Sequence, residues 1–75
     1  MTLDEFVKVV AHEFQETPVE EITAQTHYRE LSEWSSMVAL SVLSAIDDEF
    51  DIMLTGGDIR NTTTIEDLYN IACSR

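Results

Sequence analysis

The sequence predicts an all-α fold, a small four-helix bundle made of three main helices and one short helix. Apolar residues recur at spacings of three and four in three segments, and a serine or threonine stands where each segment begins. No stretch alternates for long enough to build a sheet. With 75 residues, of which 44% are hydrophobic, the chain can form one small core. We therefore expect a single domain over residues 1–75.

The first helix is predicted over residues 3–15. Thr2 followed by Glu5 is a capping-box pattern, in which each side chain accepts a hydrogen bond from the backbone of the other residue. The apolar residues that share one face of this helix are Leu3, Phe6, Val7, Val10, Ala11 and Phe14.

Within residues 16–35, a short helical turn is predicted first, and residues 23–33 are predicted to form a long structured loop. Pro18 suits the first position of a short helical turn, and Thr17 with Glu20 would complete a second capping box. We expect Val19 and Ile22 to anchor this turn, and the rest of the loop to be held by Ile22, Tyr28 and Leu31. A loop this long in so small a domain is often functional.

The second helix is predicted over residues 36–50, with Ser35 as its N-cap. Its apolar stripe comprises Leu40, Leu43, Ile46 and Phe50, and four further apolar residues widen it: Met37, Val38, Val42 and Ala45. Such a helix is either central in a bundle or shows apolar surface to a partner.

The third part of the chain is predicted to hold a short turn at residues 58–61 and a helix at about residues 64–73. Gly56-Gly57 indicates a break before the turn. Thr63 and Glu66 form a capping-box pattern for the last helix. The buried face of that helix comprises Ile65, Leu68, Tyr69 and Ala72.

The net charge of the chain limits the kinds of partner that it can bind. Fifteen acidic residues against four basic ones give a net charge of −11, which disfavours binding to nucleic acid or to an anionic membrane surface. A basic protein surface would be the natural complement, although acidity can also serve solubility alone. We find no apolar run of membrane-spanning length and no secretory signal pattern, so we expect a cytoplasmic monomer with no membrane span.

The sequence offers little for catalysis or metal binding. Cys73 is the only cysteine, and with His12 and His27 it gives no recognisable metal-ligand spacing. Nothing in the sequence orders these histidines with a serine and an aspartate into a triad. We therefore expect a protein that is not an enzyme and holds no metal.

Three spacings carry a resemblance to a known family. Ser36 lies fourteen residues before Phe50, which stands inside the run Asp48-Glu49-Phe50-Asp51, and Leu31 lies five residues before Ser36. The segment 63–68 reads Thr-Thr-Ile-Glu-Asp-Leu. In these features the chain resembles the acyl carrier proteins, in which a serine opens the second helix, usually within Asp-Ser-Leu. The resemblance covers essentially the whole chain.

The resemblance implies a cofactor and a function. A 4′-phosphopantetheine arm from coenzyme A would be joined to Ser36, and its thiol would carry acyl groups as thioesters in a fatty-acid, polyketide or specialised lipid-type pathway. The implied partners are a phosphopantetheinyl transferase and acyl-transferring or condensing enzymes with basic docking surfaces. Residues 36–51 would form the main docking surface. A cargo pocket, if present, would be lined by Phe6, Leu40, Leu43, Ile46, Ile65 and Leu68, which serve equally well as core.

The chain departs from the family around the attachment serine. Ser35 replaces the usual aspartate, and Val38 and Ser41 stand at positions that are often acidic in the family. We expect partners to contact a more apolar surface near the arm, while acidity remains only at the far end of the helix. Met37 would contact the partner or line the entry for the cargo, and Val38 would be exposed. The candidate docking residues are Trp34, Ser35, Met37, Val38, Ser41, Asp47 and Asp48.

Two alternatives to the acyl carrier stay open. A carrier for amino acids or aryl acids would share the fold and the arm. An acidic helical adaptor that is never modified is kept open by the serine at position 35.

Overall fold

The chain folds into four α-helices and two short 3₁₀ turns, as described by a computed structural model of residues 1–75. No residue lies in a β-strand, and the only extended pairing is an isolated bridge between His27 and Thr64. The predicted all-α class, with three main helices and a short one, is therefore confirmed. The elements are α1 (Leu3–Ala11), 3₁₀ turns at Val19–Glu21 and Tyr28–Glu30, α2 (Ser36–Phe50), α3 (Gly56–Arg60) and α4 (Ile65–Cys73).

Helix α1 begins as predicted and ends early. Thr2 and Glu5 form the full capping box. The helix stops at Ala11 instead of reaching residue 15, because the N–H groups of Glu13 and Phe14 donate to carbonyls only three residues back. Such bonds tighten the last turn and end the α-helix. Phe14 is nonetheless buried, as predicted.

The segment between α1 and α2 follows the prediction in part. Ile22 and Tyr28 are buried and anchor it, whereas Val19 is 36% exposed and does not. The capping box predicted at Thr17 and Glu20 is wrong. Pro18 precedes the first 3₁₀ turn without any side-chain cap, because the Thr17 hydroxyl donates elsewhere, to the Glu33 carboxylate.

Helix α2 has the predicted bounds and the predicted Ser35 cap, but a different buried face. Val42 and Ile46 are fully buried, whereas Leu40 is 66% exposed. At 3.6 residues per turn, Leu40 points about 160° away from Val42, so both cannot face one core. The predicted apolar stripe through Leu40 is therefore wrong.

The last two helices correct two local predictions. Gly56 and Gly57 do not break regular structure, since they open α3 with negative φ, and Thr55 and Asp58 form a capping box there. Helix α4 is capped by Thr64 with Asp67, not by Thr63 with Glu66.

Glu66 faces the neighbouring loop instead. Its carboxylate accepts from the Gln25 amide at 3.0 Å, and its backbone N–H donates to the Ala24 carbonyl at 2.9 Å. These two bonds tie the start of α4 to the segment that follows the first 3₁₀ turn.

The core lies where α1 meets α2 and α4, while α3 packs against α4. Phe6 is fully buried at its centre; its ring stacks on Phe50 at 6.1 Å and meets Tyr69 edge-on at 5.6 Å between centroids. The face of α2 that bears Val42 and Ile46 therefore packs on the core, and the face that bears Met37 and Leu40 stays on the surface.

Candidate functional site

The start of α2 presents an exposed serine on a capped helix. The Ser35 hydroxyl accepts a hydrogen bond from the Val38 N–H at 3.2 Å, which fixes the first turn. Ser36 is the first helical residue and is exposed. Its hydroxyl makes no hydrogen bond within the chain, and the N–H groups of Ser36 and Met37 have no acceptor there. The site therefore offers a free hydroxyl beside two free backbone donors.

No carboxylate stands in the first turn of α2. The other three helices each carry acidic residues in that turn: Asp4 and Glu5 in α1, Asp58 in α3, and Glu66 and Asp67 in α4. A helix N-terminus bears partial positive charge and favours an anion. In a chain this acidic, α2 alone leaves that position without its own anion.

Glu33 holds the segment before α2 against the end of α1. Its carboxylate accepts hydrogen bonds from the Gln15 N–H at 2.8 Å, the Glu16 N–H at 3.1 Å and the Thr17 hydroxyl at 2.7 Å. Desolvation acts to raise the pKa of Glu33, but these bonds outweigh it and hold the pKa below its usual value. The ionised carboxylate is thus a structural clamp, and no sequence pattern predicts it.

Trp34 anchors the same segment through aromatic contacts. Its ring stacks on Phe14, with centroids 6.1 Å apart, and meets Tyr28 edge-on at 5.3 Å. Trp34 is only half-buried. As a candidate docking residue it therefore packs on Phe14 and Tyr28 and is only partly accessible to a partner.

Tyr28, which contacts Trp34, and its neighbour Arg29 also bind the end of α3 and the residues that follow it. The buried Tyr28 hydroxyl is hydrogen-bonded to the Thr62 hydroxyl and donates to the Ile59 carbonyl at 3.3 Å. Burial raises the pKa of Tyr28. The Arg29 guanidinium donates to the Thr62 carbonyl at 2.7 Å. The loop that leads to Ser36 is thus tied to α1 on one side and to the end of α3 on the other.

The residues of α2 that adjoin Ser36 carry no charge, although Glu13, Glu16 and Glu33 line the hollow beside Met37 and Val38. Met37 is 78% exposed, Leu40 is 66% exposed and Ser41 is exposed. Val38 was predicted to be exposed, and this is wrong: it is half-buried and packs against the core. On the helix, Val38 lies only about 40° from the buried Val42, which accounts for its burial. Leu40 was missed as a surface residue, although the same angular count identifies it.

The acidic end of α2 lies apart from the serine. Asp47 and Asp48 are exposed, and Asp51 ends the helix in the left-handed region with φ 56°. Asp is among the residues that tolerate this conformation. Eleven positions separate Ser36 from Asp47, which at the helical rise is about 16 Å. The candidate docking residues therefore form an uncharged zone and an acidic zone on one helix.

The predicted cargo pocket is not formed in this structure. Phe6, Ile46, Ile65 and Leu68 are fully buried core residues, and none of the surface hollows is lined by them. The hollow nearest Ser36, of about 250 Å³, lies between the end of α1 and the first turns of α2. A larger groove of about 340 Å³ runs between α1 and residues 19–24.

No three His, Cys, Asp or Glu side chains lie close enough together to hold a metal ion. None of the helices has both the length and the apolar character needed to cross a bilayer. No protein-family model, curated protein or solved structure matches the chain.

Proposed function

We propose that the protein is an acyl carrier, with Ser36 as the attachment point of a 4′-phosphopantetheine arm. The observation that supports this best is the N-terminus of α2, where an exposed serine stands beside two free N–H groups with no carboxylate in the first turn. The family spacing of Leu31, Ser36 and Phe50 supports it independently.

The environment of Ser36 suits a phosphodiester. The arm would add one negative charge where the helix dipole and the free N–H groups of Ser36 and Met37 favour an anion. Ser35 would keep its bond to the Val38 N–H, so the helix need not be recapped when the arm is added. Glu33, the closest carboxylate in sequence, is engaged by three donors from residues 15–17.

The protein need not activate the serine itself. No histidine or carboxylate is hydrogen-bonded to Ser36, so the base for its hydroxyl proton would come from a separate transferase, together with magnesium and coenzyme A. The serine oxygen would take the phosphopantetheine group from coenzyme A, with the nucleotide part leaving. The arm's thiol would then carry the acyl group, while the chain supplies placement and recognition.

Because no pocket is formed between the helices, the position of a bound acyl chain needs another explanation. The residues between α1, α2 and α4 are closely packed, so an acyl chain would either lie on the surface or require these helices to separate. Cargo that stays accessible suits delivery to partner enzymes of a fatty-acid, polyketide or specialised lipid-type pathway.

The amino-acyl or aryl carrier remains the nearest alternative, since it would use the same serine and arm. The unmodified acidic adaptor is the alternative of a different class. Ser35 favours it, because the aspartate that transferases commonly contact in the family is missing.

Intact-mass spectrometry after incubation with coenzyme A, magnesium and a broad-specificity phosphopantetheinyl transferase tests the proposal. We expect a gain of one phosphopantetheine, lost in Ser36→Ala and retained in Ser41→Ala, a matched control in which an exposed serine of the same helix is removed. Retention in Ser35→Ala would assign the site to Ser36 alone. If the wild-type chain gains no mass, even with a transferase from the organism that makes this protein, the unmodified adaptor is favoured.

A further inference from the structure

Three of the four basic residues of this acidic chain lie around helix α3. The Arg29 guanidinium donates to the carbonyl of Thr62, just after the helix, at 2.7 Å. The Arg75 guanidinium pairs with Asp58, in the middle of the helix. Arg60 belongs to α3 itself. Because α3 is only about 7 Å long, the fold collects in one small region arginines that lie far apart in sequence.

Arg29, Arg60 and Arg75 form what we call the arginine cluster, and its charge is not balanced locally. Residues 52–65 contain one acidic residue, Asp58, which pairs with Arg75. Arg60 forms no ion pair. Arg29 donates through Nε and Nη2, but both bonds go to a neutral carbonyl oxygen. The arginine cluster therefore has three positive charges against one negative charge.

The next carboxylates along the chain bind other groups. Glu30 follows Arg29 but is paired with His27 at 3.0 Å. The Asp67 carboxylate accepts hydrogen bonds from backbone N–H groups at the start of α4. Neither carboxylate forms an ion pair with the arginine cluster, so the charges of Arg29 and Arg60 remain available to a partner.

The surface that carries the arginine cluster is not a pocket. All three arginines are exposed, and none of them lines any of the three hollows on the protein. Small ligands bind mainly in concave sites that cover most of their surface. An exposed guanidinium suits a protein interface, where its planar donors can bind a carboxylate through two hydrogen bonds. The shape of this region therefore favours a protein partner over a small anion.

We propose that the arginine cluster is a second interaction surface, which binds a patch of carboxylates on a partner protein. It lies outside α2 and does not depend on whether Ser36 carries an arm. The acidic end of α2 is close by, because the chain from Asp51 to Gly56 spans at most about 18 Å. Surfaces of opposite sign side by side admit a partner in one orientation, since a rotated partner would bring like charges together.

A nuclear magnetic resonance titration of the isotope-labelled chain with a blocked tri-aspartate peptide tests the proposal. The extended peptide is about 10 Å long, comparable to the arginine cluster. Near-physiological salt, with a Debye length of about 8 Å, screens repulsion by the more distant carboxylates of the chain. We expect saturable amide shifts at Arg29, residues 56–62 and Arg75, and none in α1. Acetate at the same carboxylate concentration should give no saturable shift, because one carboxylate cannot bridge several arginines.

Arg60→Gln and Lys8→Gln are the matched variants. Each removes one positive charge from an exposed helical residue that forms no ion pair, and glutamine keeps the helix propensity. Arg29 and Arg75 stay in place because their bonds hold α3. We expect the Kd of the peptide to rise about threefold in Arg60→Gln, as for the loss of one exposed ion pair, and to stay unchanged in Lys8→Gln. Circular dichroism verifies that the helices are retained.

Four results would overturn the inference. An absence of saturable shifts around α3 would show that the arginine cluster binds no carboxylate patch. Equal Kd values for Arg60→Gln and Lys8→Gln would show that the peptide responds only to net charge. Equally tight binding of inorganic phosphate at the same residues would assign a small-anion site. A wild-type dimer that Arg60→Gln dissociates, seen by sedimentation, would show that a second copy occupies the cluster. None of these measurements involves the arm, so they stand apart from the test of the carrier function.

Discussion

The start of α2 and the start of α4 are built on different principles. Helix α4 is capped locally: the Thr64 hydroxyl accepts from the Asp67 N–H, and the Asp67 carboxylate accepts from the N–H groups of Thr63 and Thr64. At α2 the cap is a lone serine, and the carboxylate nearby, Glu33, bonds to residues 15–17 instead. The start of α4 is therefore capped by its own neighbouring residues, whereas the segment before α2 is held by residues far from it in sequence.

This difference decides whether the N–H groups at a helix start stabilise the fold or stay free to bind another group. A capping box uses the positive end of its helix to stabilise the chain's own carboxylate. By holding its segment through Glu33 and Trp34, the chain fixes the position of α2 while leaving its first N–H groups free. An end held from outside can accept a new anion without losing the contacts that position it.

Removing the aromatic contact should have the largest effect on stability. Trp34→Ala deletes a half-buried ring between Phe14 and Tyr28, and we expect a loss of about 2–3 kcal/mol, below the range for fully buried aromatic residues. Urea unfolding measures it. Trp34→Phe, which keeps a ring in place, is the control and should lose less than half as much. A loss below 0.5 kcal/mol, on the order of an ordinary surface substitution, would mean that the ring does not hold the segment.

Breaking the two caps should distinguish the two helix starts directly. Thr64→Ala removes one half of a reciprocal box, while Ser35→Ala removes a single bond, so we expect losses of about 1.5 and about 1 kcal/mol. Thermal and urea unfolding give both values. Amide hydrogen exchange should further show faster exchange at Val38 in Ser35→Ala with α4 unaffected. Equal protection of Val38 in both proteins would contradict the assigned cap.

The smallest expected effect is the change that Glu33→Gln makes to the pH dependence of the free energy of unfolding. The folded pKa of Glu33 is lowered, so its stabilising contribution is fully present above its usual pKa of 4.5 and is lost as pH falls through the lower folded value. Unfolding measured from neutral pH down to about pH 3 should therefore show a steeper loss for the wild type than for Glu33→Gln. Glu5, Asp58 and Asp67 also have lowered pKa values from cap hydrogen bonds, so both proteins should weaken in acid. Identical slopes would exclude the Glu33 clamp.

Some local features of the fold could be predicted from the sequence, and the long-range contacts could not. The bounds of α2, its Ser35 cap and the Thr2–Glu5 box follow from neighbouring residues. At residues 63–67 the sequence predicted a Thr63–Glu66 box, but Thr64 and Asp67 form it, and the Glu66 carboxylate accepts a hydrogen bond from the Gln25 side chain instead.

The candidate site shows the same limit. The sequence places Ser36 at the start of α2, and the structure shows it exposed there. The errors at Val38 and Leu40 came from centring the apolar stripe on the wrong side of α2, since this helix is apolar over much of its circumference. The clamp by Glu33 spans sixteen or more positions of sequence, and an acidic residue in a loop gives no sign of it.

The aromatic packing beside the candidate serine also has an optical consequence. Trp34 is the chain's only tryptophan, it lies two positions from Ser36, and it contacts both Phe14 and Tyr28. Selective excitation of the indole therefore reports on this one corner of the domain, without labelling. Its emission colour and anisotropy follow the segment that precedes α2, and quenching by added iodide measures how far the ring is open to solvent.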